Sequence, residues 1–395
     1  MQKIKNMILS KDTTKIKIIY FIKFFADALF NGYMSMYFAT FFAKNSIEYG
    51  ILLGIIPFCT LLGNFIWGAL SKNITKNLKL VKLVLILELM GLLLFTFFGG
   101  NFITLLIFTI FVSLFNSPYF TLQEGIGSYF SKRENKSYTG IRMTGSSGYL
   151  VALIVGAGLI KLFNENFKII FVIAGILYLI CLFLWFTISK IENEDTKEEI
   201  AKIKFSEVFK NKTFILYFIA YLLIIGCHSI ADTYHFARLS LNNIDPSTFS
   251  LVNAVCVLIE VVTMFCILKF VKEDKYFVVL KISVVFLFLR EFFLGSNASL
   301  PFLIVFTSLR GLGWGGFLAA HVIVLRRIVS SKLLVKAISI LTITQGLING
   351  LVTIFGTSIY NVISIPYFYL LLSFVTLIGI IVLYKIKFKF EKTEE

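Results

Sequence analysis

Twelve apolar runs follow one another along this chain, near 18–42, 47–70, 80–98, 102–123, 138–162, 167–189, 213–237, 247–270, 276–295, 300–325, 335–359 and 364–385. Each is long enough to cross a hydrocarbon layer of roughly 30 Å at about 1.5 Å per helical residue. In lipid a segment must satisfy its own backbone hydrogen bonds, so runs of this length predict helices. The composition agrees: 58% of the residues are hydrophobic, only 15% are charged, and mean hydropathy is +0.87. An all-α integral membrane protein is expected, without a soluble catalytic domain.

The net charge of +16 does not indicate nucleic acid, because the basic residues form no single patch or binding motif and sit in the gaps between apolar runs. With the N-terminus in the cytoplasm, most of the 38 lysines and arginines fall in inner segments, whereas Lys44, Lys161, Lys168 and Arg238 lie outside. The excess of inner basic charge predicts both termini in the cytoplasm and a multi-pass protein of the cell (plasma or inner) membrane. The basic segment ahead of the first run has no small-residue cleavage site and is expected to be retained. All five cysteines lie in apolar stretches without metal-ligand spacing and read as small core residues.

Most connections are short, which predicts antiparallel helical hairpins. The exception is IENEDTKEEIAKIKFSEVFKNK, Ile191 to Lys212, a charged cytoplasmic segment that could form a surface helix over Ala201 to Phe209 but cannot span. It divides the chain six plus six: an N-terminal half over 1–190, the linker over 191–212 and a C-terminal half with a short tail over 213–395. The expected architecture is two six-helix halves around a central cavity, the major facilitator fold, with a substrate site near the midplane.

Ionisable residues inside spans are costly unless they face a cavity or a partner, so they are the first candidates for function. They are Lys23, Asp27, Glu88, Glu124 and Arg142 in the first half, and His228, Asp232, His235, Glu260, Lys281, Arg290, Glu291, Arg310 and His321 in the second. Lys23, Asp27 and Asn31 recur every fourth residue, as a pore-lining stripe or a local ion pair would. Arg142 opens the run YTGIRMTGSSGYLVALIVGAG, whose glycines permit close packing and leave Arg142 and Tyr149 as its large side chains. Glu124, at the end of the preceding run, is placed to pair with Arg142. Arg310 and His321, eleven positions apart, share a helical face. His228, Asp232 and His235 have a spacing that metal ligands can use, but no fourth ligand is evident and no metal is expected. Glu88 and Lys281 are expected to snorkel from inner helix ends.

These residues carry a resemblance. Glu124 followed by I-R-M-T-G-S-S-G-Y, Ile141 to Tyr149, resembles the helix four and five signature of the lactose permease and phenylpropionate permease branches of the major facilitator superfamily. In the second half, VLIEVVTMFCILKF around Glu260, FLFLREFFLG around Arg290 and FLAAHVIVLRRIV around His321 are similar to helices eight, nine and ten of the phenylpropionate branch. The resemblance implies that Glu124 and Arg142 hold substrate hydroxyls and that Tyr149 stacks on the substrate; Asp27 and Asn31 are taken as further lining residues from their helical spacing alone. Apart from the resemblance, a carboxylate, an arginine and a histidine on three successive helices, Glu260, Arg290 and His321, with Arg310 on the face of His321, form a set whose protonation can couple to conformation, and they are the expected proton-coupling residues. Two departures stand out. Gly140 and Ile141 occupy the region of the family's first arginine, and GALSKNITKNLK places Lys72 where the superfamily's loop pattern has an aspartate.

The expectation is a secondary transporter, a proton-coupled symporter that imports a sugar, nucleoside or aromatic acid by alternating access, acting as a monomer. Its partners are the solute, protons and the bilayer. It uses no cofactor beyond the proton gradient and no ATP, because no GxxxxGKS motif is present. An exporter of lipophilic compounds and a sensor on a transporter scaffold remain alternatives. An enzyme is disfavoured, since neither GxSxG nor HExxH occurs. The candidate residues also admit a purely structural role as clamps between helices.

Overall fold

The computed structural model describes residues 2–71, 73–136, 138–188 and 205–386. Among them every regular element is helical. Fourteen α-helices run in order: α1 Gln2–Phe41, α2 Ile47–Leu70, α3 Ile74–Phe98, α4 Phe102–Arg133, α5 Tyr138–Leu162, α6 Phe167–Phe186, α7 Lys212–Thr233, α8 His235–Ser240, α9 Pro246–Phe270, α10 Tyr276–Leu294, α11 Leu300–Thr307, α12 Leu309–Ile328, α13 Ser331–Ile363 and α14 Ile365–Lys385. They make twelve spans, because the seventh is interrupted between α7 and α8 and the tenth between α11 and α12. Ten of the described helical stretches are long and apolar enough to cross a membrane. The other two expected spans, α1 and α10, carry Lys23, Asp27 and Asn31, and Lys281, Arg290 and Glu291.

Several boundaries differ from the sequence reading. Helix α4 continues to Arg133, so much of the stretch expected to link it to α5 is helical. At Ser308 the hydroxyl donates to the Val305 carbonyl at 2.6 Å, and the backbone N–H is shared between the Ile304 and Val305 carbonyls, each at 3.2 Å. Such back-bonding bends helices and separates α11 from α12 here. Of the charged linker, the stretch 191–204 lies outside the described residues, and Phe205–Lys210 is a short 3-10 helix. Its exit is fixed by Asn211, whose Oδ1 accepts from the Thr213 and Phe214 N–H groups while its amide donates to the Ile328 carbonyl at 2.6 Å. Lys72, which replaces the loop aspartate, also lies outside the described residues. Beside it, Asn73 caps α3 by accepting from the Lys76 N–H at 2.8 Å.

By contact the chain forms two compact units, one of residues 1–199 with Pro246–Leu251 and the other of 200–245 with 252–395. In the first unit α1 packs on α5 and α6, α3 on α4 and α6, and α2 on α4. The α1–α5 contact is close because α5 brings glycine to it. A methyl group at Gly148 would strike the Phe21 carbonyl, and one at Gly156 would stand 2.6 Å from the Tyr33 hydroxyl. Edge-to-face rings of Phe30, Tyr37, Phe95 and Phe171 fill the space between α1, α3 and α6 at centroid distances of 5.2–5.8 Å.

In the second unit α10 packs on α12 and α14, and α7 on α13 and α14. The GLGWGG run is a packing surface. Methyl groups at Gly311 and Gly315 would lie 2.5 and 2.7 Å from the carbonyls of Cys256 and Glu260 on α9, and one at Gly313 2.6 Å from Leu287 on α10. With its glycines spent on neighbours, Trp314 is left as the large side chain of that turn. Outward-facing side chains such as Phe65, Phe183, Phe270 and Val362 are exposed, as lipid-facing residues are.

Candidate functional site

Glu124, near the end of α4, and Arg142, in the second turn of α5, form an ion pair with Nε 2.8 Å from Oε1. Both side chains remain partly open, 42% for Arg142 and 36% for Glu124. Three neighbours hold the pair. The Tyr138 hydroxyl donates to Glu124 Oε2, the Arg142 guanidinium lies 4.6 Å above the Phe24 ring, and α1 presents that ring because Gly145 leaves room for it. Arg142 Nη1 is buried and has no protein partner. The pair therefore keeps hydrogen-bonding capacity in reserve. Tyr149 is half-buried on the same helix.

The stripe expected on α1 divides. Asn31 is exposed, whereas Lys23 and Asp27 are buried, with Lys23 Nζ 2.5 Å from Asp27 Oδ1. Glu88 does not snorkel: it is fully buried and lies 3.1 Å from Lys23 Nζ. Its position midway along α3 puts the carboxyl within reach of a cation on α1, and pairing there replaces the water a snorkelling group would seek. Lys281 rests its ammonium 4.5 Å from the rings of Phe277 and Tyr384.

The second unit contains a larger network whose hub, Asp232, the sequence reading placed among the in-span charges and in the metal-like spacing but not in the proton-coupling set. Asp232 on α7 has Oδ1 2.7 Å from Arg290 Nη2 of α10, an ion pair without hydrogen-bond alignment, and accepts a hydrogen bond on Oδ2 from Arg310 Nε of α12 at 2.8 Å. Arg310 also lies 3.9 Å from Glu260 Oε2 on α9. His228, one turn before Asp232, places Nδ1 3.3 Å from Arg290 Nη1 and Nε2 3.8 Å from Asp232 Oδ2. Two carboxylates and two guanidiniums thus neutralise one another on four helices. The candidate metal spacing resolves differently: His228 and Asp232 belong to this network, while His235, beyond the break at Tyr234, turns its Nε2 to Thr307 at 3.3 Å. No metal-binding group occurs among the described residues.

His321 shares α12 with Arg310 but not its partners. Nδ1 meets the Tyr217 hydroxyl at 2.6 Å, and its ring packs on Phe317 at 4.9 Å and Tyr221 at 5.3 Å. Eleven residues of helix separate it from Arg310, so no direct line of charge joins them. What joins them is aromatic. Rings of His228, Trp314, Phe317, His321 and Tyr217 follow one another at centroid distances of 5.0, 5.5, 4.9 and 5.9 Å. Beside this ladder the Tyr221 hydroxyl donates to Gln345 Oε1 at 2.6 Å, and Gln345 Nε2 donates to Ser229 Oγ at 2.8 Å. As an intramembrane acid Asp232 was a candidate from the sequence, but its pairing with Arg290 and Arg310 was not legible there, and the partners of Tyr217, Trp314 and Gln345 carried no sequence signal.

Twelve spans with charged side chains held in their interior define a multi-pass membrane protein. Residues 13–371 match the MFS_1 like family, and the chain belongs to that family. Among solved structures it is similar to the nucleoside transporter NupG, with a TM-score of 0.78 at 15% identity over 95% of this chain and 99% of that one. It is also similar to a bacterial homologue of the human lysosomal transporter Spinster, in its inward-facing, unoccupied conformation, with a TM-score of 0.70 at 16% identity over 95% and 96% of the two chains. No curated protein matches it significantly by sequence. These likenesses establish the fold, and the transport of a small solute follows from the family.

Proposed function

We propose that the protein is a proton-coupled symporter that imports a solute combining hydroxyl groups with an aromatic ring, a nucleoside being the leading case, by alternating access. The observation that carries this reading is the partly open Glu124–Arg142 pair, whose Arg142 Nη1 lacks a protein partner. A pair serving only as a clamp would spend its donors on the protein. A guanidinium and a carboxylate with spare donors and acceptors suit a polyol, which offers both.

Two features of the second unit support the rest. Trp314, half-buried at the end of the stack with Phe317 and His321, and the nearby Gln345 and Ser229 combine an aromatic ring with hydrogen-bonding groups, as an aromatic solute requires. NupG, which has this fold, is a nucleoside transporter. For the proton, Arg310 is held tightly by Asp232 and loosely by Glu260. Moving Arg310 away from Glu260 withdraws a cation from that carboxylate, the condition under which it takes a proton. Arg290 acts with Arg310 by compensating Asp232, and His321 is available for proton exchange through Tyr217.

The test is uptake of labelled nucleosides, sugars and aromatic acids into proteoliposomes, with and without an inward proton gradient. Gradient-driven accumulation of a nucleoside is expected, together with its loss in Arg142→Ala. Accumulation of sugars alone would remove the aromatic part of the reading, and normal accumulation by Arg142→Ala would remove the site.

A further inference from the structure

The first unit holds a group of charges that the transport reading does not use. Lys23 and Asp27 on α1, Glu88 on α3, Asn116 on α4 and Tyr178 on α6 converge on one point. Asp27 Oδ1 receives Lys23 Nζ at 2.5 Å, Asn116 Nδ2 at 3.3 Å and the Tyr178 hydroxyl. Glu88 Oε1 receives the same three donors, Lys23 at 3.1 Å, Asn116 at 2.5 Å and Tyr178 at 3.1 Å. Lys23 and Glu88 are 0% exposed and Asp27 3%.

The charges do not balance. One ammonium faces two carboxylates, and among the described residues no further cation offsets the excess. The rings of Tyr119, Phe120 and Tyr178 stand 4.5, 5.0 and 4.4 Å from Lys23 Nζ. The Tyr119 hydroxyl accepts from Trp185 Nε1 at 2.8 Å, and the Cys181 thiol faces the Ile19 carbonyl. From α5, the other helix packed on α1, the nearby charge is Arg142, which is committed to Glu124. Two carboxylate oxygens, Asp27 Oδ2 and Glu88 Oε2, are buried without a hydrogen-bond partner.

An uncompensated charge is not kept in such an interior when a proton can remove it. We propose that the Lys23–Asp27–Glu88 cluster is a proton-binding site of the first unit, holding a single proton on Glu88. Asp27 is the ionised partner because Lys23 lies closer to it than to Glu88. A metal cation does not fit, since the ammonium of Lys23 already takes the cationic place between the two carboxylates. The site is separate from the network around Asp232, and its protonation in the resting protein does not depend on which solute is carried.

Infrared spectroscopy of the full-length protein in lipid, at neutral pH and without solute, tests this directly. Native protein minus Glu88→Gln should show the loss of a carboxylic-acid C=O band with the carboxylate bands unchanged. In Asp27→Asn the ammonium of Lys23 is left with Glu88 alone, which ionises, so native minus Asp27→Asn should also show the loss of the acid band with no net loss of carboxylate. If Glu88→Gln fails to fold, Lys23→Met replaces it, and its two unopposed carboxylates should add a second acid band. Loss of only a carboxylate band in Glu88→Gln would overturn the proposal, as would the absence of any added acid band in Lys23→Met. Carboxylate bands shifted by sodium chloride in native protein but not in Glu88→Gln would also overturn it, in favour of a metal cation.

Discussion

Arg142 and Asp232 are both arginine–carboxylate centres, yet their exposure predicts different behaviour. The Glu124–Arg142 pair is open on both sides, so its attraction is screened and its removal should cost less than about 1 kcal/mol of stability. Arg142→Ala and Glu124→Gln are expected to keep the melting temperature of the purified protein near the native value while abolishing uptake; a lowered melting temperature with normal uptake would make the pair a clamp. Asp232→Asn is the opposite case. It leaves the fully buried Arg290 without its anion and should destabilise by about 3–5 kcal/mol, read as a large drop in melting temperature. The Glu124–Arg142 pairing was legible in the sequence because the two residues close one apolar run and open the next, although α4 itself continues to Arg133. The place of Asp27 was not, since a four-residue spacing describes a face but does not say whether that face meets water or a third carboxylate from α3.

At the scale of the helix, glycines decide how near the neighbours come. Gly148→Ala on α5 and Gly315→Ala on α12 drive a methyl group into the carbonyls of Phe21 and Glu260, and each should destabilise by about 1–3 kcal/mol. Gly158→Ala, which meets nothing within 4 Å, is the control and should be neutral or slightly stabilising because alanine favours the helix. Thermal unfolding of the three variants side by side checks this; equal effects would mean that close packing is not what the glycines provide. The apolar runs located the spans, because the period and length of hydrophobic sequence are set by the membrane itself. The interruptions at Tyr234 and Ser308 escaped, because they depend on local hydrogen bonds that hydropathy does not report. The first of them separates His235 from His228, which is why a metal-like spacing did not become a metal-like cluster.

For the whole molecule, the all-helical major facilitator fold was legible from the number and length of the apolar runs, and the family match over residues 13–371 agrees with it. The roles of individual side chains were less legible, because an intramembrane charge reveals its cost in the sequence but its partner only in three dimensions. Glu260 illustrates this: the guanidinium beside it is that of Arg310 on α12, while Arg290 is engaged by Asp232. The central claim is that solute and proton cross together. Proteoliposomes with no imposed gradient, in a weakly buffered medium carrying a pH indicator, test it most directly: the medium outside should turn alkaline when the transported solute is added, in native protein and not in Glu260→Gln. Solute entry without any movement of protons would contradict the account.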